Sequence, residues 1–333
     1  MEGLQVYHEE YGAAAEVVKT RREEWPALKP YQIRVAIYAA PINPADINML
    51  EGSYLLQPPL PARLGNEAVG VVEDLGDQVE GIYSDDHVII PFQNKQFWEG
   101  LWAEYVVLDY REVLVVPKQI SMPQAAMLSV NPLTAYAMLT QFQELNKGEW
   151  VVQNLANSGV GRWVIYLAKK LGYKTCNIVR SDASVASLKA LGADEVIVYS
   201  DHMSQAIKEV AGYARLGLNG VGGNSAKQVA KAIKADGSLV TYGAMGREQM
   251  MIGNALLIYR NVSFYGFNRS RWIAQTPREK VCRMYKEIFE MLVADPFTIP
   301  VEKTYELGDA PAAVAHAMQS GRQGKILFKM GFF

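Results

Sequence analysis

Cysteine and histidine are scarce in this chain. Among 333 residues there are two cysteines, Cys176 and Cys282, and four histidines, His8, His87, His202 and His316. Two cysteines cannot build a disulfide framework or a four-cysteine zinc lobe. An excess of one charge is also lacking. Lys and Arg number 33 against 35 Asp and Glu, a net charge of −2, which excludes a global basic field for nucleic acid. No run approaches the ~18 apolar residues that span a bilayer. The start, MEGLQVYHEEYG, is acidic and has neither a cationic stretch nor an apolar core, so no secretory signal or Arg-rich transit peptide is expected. The ending GKILFKMGFF matches no lipidation or retention signal. These absences lead us to expect a reduced, cytoplasmic protein that engages neither membrane nor nucleic acid.

Hydrophobic residues make up 50% and charged residues 20% of the chain, a globular balance, and the length suits two domains or one large one. The first third carries β-branched runs at 33–38, 68–72, 87–90 and 105–107, broken by turns such as Leu75-Gly76-Asp77. Their alternation predicts half-buried strands. The character changes near Ser121. Residues 122–145 read as helical, with Pro123 in the first turn. Six short apolar strands are then expected at 150–155, 175–179, 195–199, 216–221, 238–242 and 262–267. Helices at 160–171, 183–191, 202–211 and 225–235 alternate with them. That alternation predicts an α/β fold with a parallel sheet covered on both faces. An amphipathic helix at 277–292 follows, and then a helix at 310–320 and a strand at 325–330. The tail resembles the first third in β character. We therefore expect a discontinuous outer domain, residues 1–121 and 299–333, with a nucleotide-binding domain, residues 122–298, inserted in it.

The clearest local signal is Val151-Val152-Gln153-Asn154-Leu155-Ala156-Asn157-Ser158-Gly159-Val160-Gly161. A strand enters a tight turn and then a helix. Gly159 and Gly161 remove side chains where backbone must approach a pyrophosphate, and the helix N-terminus offers free N–H groups. Asn157 and Ser158 add side-chain donors, although the match to G-x-G-x-x-G is partial. The next strand ends Val179-Arg180-Ser181-Asp182. NAD enzymes usually place an acid there, whereas Arg180 and Ser181 suit a 2′-phosphate and favour NADPH. The alternative is that Arg180 only ends a strand in solvent and Asp182 caps the next helix. Asn219-Gly220-Val221-Gly222-Gly223 and Tyr242-Gly243-Ala244-Met245-Gly246 line the same predicted sheet edge, and the second suits contact with nicotinamide.

Several stretches together resemble the medium-chain dehydrogenase/reductase superfamily, and more narrowly the zinc-free, mitochondrial-type NADPH-dependent 2-enoyl thioester reductases. They are the Ala156, Gly159, Gly161 turn, Asn43-Pro44-Ala45-Asp46-Ile47-Asn48 with Gly52-Ser53-Tyr54, Gly65-Asn66-Glu67, Val130-Asn131-Pro132-Leu133-Thr134-Ala135-Tyr136 and Val240-Thr241-Tyr242-Gly243-Ala244-Met245. Zinc alcohol dehydrogenases resemble Gly-His-Glu where this chain has Gly65-Asn66-Glu67. The resemblance implies a GroES-like β-rich catalytic domain and an inserted Rossmann domain with a doubly wound, six-stranded parallel sheet. It implies that Tyr54 is catalytic. It implies NADPH contacts at Asn131, Asn157, Ser158, Gly159, Val160, Gly161, Arg180, Ser181, Tyr242, Gly243, Ala244, Met245, Phe267, Asn268, Arg269 and Lys325. A homodimer pairing through residues 253–267 also follows by fold analogy.

The chain departs from that family twice. Arg180-Ser181-Asp182 stands where the family usually has Arg-Asp-Arg, and Gly266-Phe267-Asn268-Arg269 where it usually has Gly-Phe-Trp-Leu. The expected reaction sends hydride to C3 of an enoyl-CoA or enoyl-ACP and a proton to C2, with a donor stabilising the thioester oxygen. The Tyr54 phenol suits that role without a metal. Weaker substrate-site candidates are Asn48 and Trp272. Asn66 is read as a turn-satisfying amide, Glu67 as an internal structural carboxylate and His87 as a satisfied core histidine. A zinc-free quinone or enone reductase and a non-catalytic NADPH sensor are the competing readings.

Overall fold

The structure, a computed structural model, describes residues 2–54, 57–92 and 100–331. It divides into two compact units. The outer one is Met1–Val130 with Lys286–Phe333, and the inner one is Asn131–Tyr285.

The inner unit holds a six-stranded sheet in the order Glu195–Val198, Lys174–Val179, Trp150–Gln153, Ala214–Asn219, Ile233–Thr241, Ser263–Gly266. Every neighbouring pair is parallel. Numbered along the chain this order is 3-2-1-4-5-6, that of a dinucleotide-binding sheet. The strands are short apolar runs because helices exclude water from the sheet. The Gly159–Leu171 helix shows how. Its buried face carries Trp163, Val164, Ile165 and Leu167, each large side chain worth ~1.5–3 kcal/mol of burial. Ser158 caps its start by accepting the Gly161 N–H at 3.1 Å, Lys169 and Lys170 lie in its last turn, and Gly172 ends it at a left-handed φ of 81°.

The stretch at 122–145, expected as one helix, is two: Met122–Ala125 and Asn131–Gln141. Pro132 lacks an N–H and falls in the first turn of the second, where a helix starts rather than continues.

In the outer unit a mixed sheet runs Val301–Tyr305, Lys325–Lys329, Gln32–Pro41, Val69–Leu75, His87–Ile89, Leu114–Val115, and Tyr105–Asp109 also pairs with Gln32–Pro41. The first two strands are parallel and the other pairings antiparallel. A second sheet joins Lys19–Glu24, Glu2–His8 and Ala62–Arg63. Trp102 and Phe328 meet edge to face at 5.0 Å in the core, and the Trp102 indole donates to the Pro41 carbonyl at 3.2 Å. The strand Glu2–His8 and the helix Pro44–Leu50 were not expected from patterning.

The unit boundaries differ from those expected at 121 and 299. The Gln124 side chain donates to the Ile299 carbonyl at 3.0 Å and accepts its N–H at 2.8 Å, and Val130 N–H donates to Glu67 at 2.9 Å. These bonds hold residues 122–130 to the outer unit. No helix among the described residues is long and apolar enough to cross a membrane.

Candidate functional site

In the inner sheet the order reverses between Trp150–Gln153 and Ala214–Asn219. Ligands of open α/β sheets bind beyond the carboxyl ends at that point. An amide network sits there. Asn154 is buried; its Nδ2 donates to Asn219 Oδ1 at 2.8 Å and to Ser225 Oγ at 3.0 Å. Its Oδ1 accepts the Gly220 N–H at 2.7 Å. Asn219 Oδ1 in turn accepts the N–H groups of Val221 at 3.1 Å and Gly222 at 3.0 Å. The two strand ends are thus fixed to each other by neutral side chains. We did not single out Asn154 or Asn219 from sequence; the available signal was an amide closing an otherwise apolar strand just before a glycine turn.

From this anchor the chain enters the glycine turn. Leu155 takes a left-handed φ of 56°. A Cβ at Gly161 would lie 2.5 Å from the Ala156 carbonyl oxygen, so only glycine lets the helix approach the turn so closely. Asn157, Ser158, Gly159 and Val160 lie between. The Tyr242 loop joins them: Tyr242 N–H bonds the Asn219 carbonyl at 2.9 Å, Met245 N–H that of Gly220 at 3.0 Å and Gly246 N–H that of Val221 at 2.8 Å. Gly243 is held against Gly220, while Ala244 and Met245 are exposed. The Tyr242 hydroxyl is buried with no hydrogen bond in good geometry among the described residues; burial pushes its phenol up, and the nearby Ser158 side chain pulls it partway back. The buried Asn131 amide nitrogen also has no partner among the described residues. Unmet polar atoms, a glycine-only approach and a capped helix start suit a dinucleotide.

Arg180 is exposed directly after Lys174–Val179. Ser181, not Asp182, occupies the cap position of the turn that follows. Phe267 is buried, edge to face with Phe142 at 5.8 Å and tilted against Trp272 at 6.1 Å, so its ring is part of an aromatic cluster. Trp272 covers that cluster. Asn268 caps the Arg269–Gln275 helix by accepting the Arg271 N–H at 2.9 Å. That explains a polar residue at this position.

The outer unit places the other candidates. The Asn48 carbonyl accepts the N–H groups of Ser53 at 2.9 Å and Tyr54 at 3.1 Å, so Asn48 fixes the Tyr54 turn through its backbone. The half-buried Tyr54 ring packs on the core, and its hydroxyl has no partner among the described residues. Nearby in sequence, the Asp46 carboxylate accepts the Asn43 N–H at 2.8 Å and the Asn66 amide at 2.6 Å. The Asn66 amide thus serves the Asp46 side chain. Glu67 is fully buried and accepts the Asn43 amide at 2.8 Å and the Val130 N–H, a structural carboxylate as expected. The Lys325 amine donates to Asn43 Oδ1. Burial holds that amine below the ordinary lysine range, and Glu67 and Asp46 pull it partway back. Lys325 is therefore part of a buried charge network, a setting that its expected cofactor contact did not foresee. His87 departs from expectation: it lies in strand His87–Ile89 only half-buried, and its Nδ1 has no partner among the described residues.

Two family descriptions match the chain: "alcohol dehydrogenase GroES-like domain" over residues 29–118 and "zinc-binding dehydrogenase" over residues 159–287. The residues present do not fit a zinc ion. The Asn66 amide nitrogen is engaged as a donor, and the described residues contain no group of three or more His, Cys, Asp or Glu able to hold a metal. The human mitochondrial enoyl-[acyl-carrier-protein] reductase is 34% identical over 328 residues, covering 96% of this chain and 87% of that protein. The solved Etr1p/NADP/crotonyl-CoA complex superposes with a TM-score of 0.87 at 25% identity, covering 99% of this chain and 100% of that one. A quinone oxidoreductase from Pseudomonas syringae pv. tomato gives 0.86 at 25% identity over 98% and 99%. The chain belongs to the medium-chain dehydrogenase/reductase superfamily. Within it, the chain is close to the mitochondrial enoyl-[acyl-carrier-protein] reductases.

Proposed function

We propose that the protein reduces the C2=C3 bond of trans-2-enoyl thioesters, carried on coenzyme A or acyl carrier protein, with NADPH and without a metal. The observation that carries this reading is the Tyr54 phenol, fixed by the Asn48 carbonyl with its hydroxyl unpartnered among the described residues, in a chain whose curated relatives are enoyl reductases. Bound NADPH supplies the hydride that C3 receives. The Ser158-capped helix start and the Gly159–Gly161 backbone hold the pyrophosphate, Arg180 and Ser181 meet the 2′-phosphate, and the Tyr242–Met245 loop and Asn131 meet the nicotinamide half. As C3 gains the hydride, negative charge collects on the thioester oxygen. The Tyr54 hydroxyl donates a hydrogen bond to that oxygen, and C2 takes its proton from the Tyr54 phenol or from water. The test is NADPH oxidation with crotonyl-CoA, longer enoyl-CoA chains, a simple quinone and a simple enone. Turnover on the thioesters is expected; efficient quinone turnover with none on the thioesters overturns the reading.

A quinone or enone acceptor is the second reading. It is favoured by Arg269, polar where the resembled family is apolar, and by the quinone oxidoreductase fold match.

We also propose a homodimer formed along residues 253–267. The Ser263–Gly266 strand ends the described sheet, and Ile258 and Tyr259 beside it are 69% and 84% exposed. Sedimentation at micromolar concentration should show a dimer that Ile258→Glu dissociates; a wild-type monomer excludes it. The two free thiols, with Cys176 pushed up to about 12 by burial, suit a cytoplasmic home, which imaging of the tagged protein would check.

A further inference from the structure

The chain lacks the second arginine that the resembled family places after the second inner strand, having Asp182 there. A different arginine reaches the same neighbourhood. Arg162 stands in the first turn of the Gly159–Leu171 helix. Its Nε donates to the Asn157 carbonyl in the glycine turn at 3.4 Å. Its Nη2 donates to Ser187 Oγ at 3.3 Å. Ser187 Oγ donates onward to the Ser184 carbonyl at 3.0 Å. Ser184 and Ser187 belong to the segment that begins at Arg180 and Ser181. The guanidinium therefore joins the turn that faces the pyrophosphate to the turn that discriminates the ribose.

Arg162 is half-buried, and burial lowers its pKa with no acidic group pulling it back. Among the described residues no carboxylate pairs with it. Its two hydrogen bonds go to neutral oxygens and leave three of its five N–H groups unused. A partly desolvated arginine without a counter-charge is the setting of an anion ligand. We propose that Arg162 is the second 2′-phosphate ligand, acting with Arg180 in place of the absent arginine and selecting NADPH over NADH. This rests on the NADPH reading above.

The experiment is calorimetric titration with 2′,5′-ADP and 5′-ADP, which differ by the phosphate in question, alongside fluorescence titration with NADPH and NADH. Wild type should prefer the 2′-phosphorylated partner in each pair. Arg162→Ala should weaken 2′,5′-ADP and NADPH by about ten-fold and leave 5′-ADP and NADH unchanged. Placing the missing arginine back, as Asp182→Arg in the Arg162→Ala background, should restore the affinity; it also keeps the test open if the single variant folds poorly. Preserved NADPH preference in Arg162→Ala overturns this inference alone. Equal losses for both nucleotides would make Arg162 a pin between two helices and overturn it too. A wild type without preference overturns the cofactor reading along with it.

Discussion

In the inner unit the polar groups buried at the strand ends are neutral: Asn154, Asn219 and Ser225 bond one another and the backbone. In the outer unit they are charged: Asp46, Glu67 and Lys325 meet around Asn43 and Asn66. The difference follows from what each must do. A site for a phosphate-rich ligand gains its positive field from a helix start and arginines, so charged supports would compete with it. The outer unit must instead hold one turn in place, and carboxylates accepting several N–H bonds do that strongly so long as every partner is present.

Four variants test this contrast, from the largest effect down. Tyr54→Phe should lower kcat ~100-fold, about 2.7 kcal/mol, while leaving thermal stability and NADPH affinity unchanged. A near-normal kcat would remove the outer unit's hydroxyl from the chemistry. Asn154→Ala leaves the Gly220 N–H without its acceptor and should destabilise the protein by ~2 kcal/mol in denaturant unfolding. An unchanged midpoint would show the neutral network to be dispensable. Arg180→Ala should weaken NADPH by about ten-fold and spare NADH in fluorescence titration; an unchanged preference for NADPH would undo the phosphate assignment. The smallest effect is a slope with pH. The Lys325 amine is held below its unfolded value, so between those two values the unfolded chain binds more protons and stability rises with pH. Wild type should gain stability relative to Lys325→Met across that window, which ends at the ordinary lysine value, and be level below it. The Asn154→Ala difference should stay flat there, since no titratable group belongs to that network. Matching slopes would erase the distinction.

The inner unit was largely legible in advance because its information is local. Apolar strands, helix-ending Gly172 and the Gly159–Gly161 turn are each readable within a dozen residues, and the helix expected at 160–171 is Gly159–Leu171. The outer unit was less so because its partners are remote in sequence: Lys325 meets Asn43 across 282 positions, and Gln124 meets Ile299 across 175. No periodicity announces such pairs. Single residues also misled where a polar side chain served a neighbour. Asn268 looked like a departure from the resembled family's pattern and is a helix cap, and the Asn66 amide donates to Asp46.

The Lys325–Lys329 strand lies between Val301–Tyr305 and Gln32–Pro41 in the outer sheet, although it follows the whole inner unit along the chain. During vectorial synthesis the contiguous inner unit can close first, while the 39–41 end of the Gln32–Pro41 strand, beyond the stretch that Tyr105–Asp109 pairs, waits for Lys325–Lys329 to emerge. An open edge of that kind is a docking place for stray strands, so the outer unit is the half of this protein that most needs chaperone cover at birth. Protease protection of ribosome-bound nascent chains would read that order directly, with resistance in the inner unit preceding resistance in the outer one.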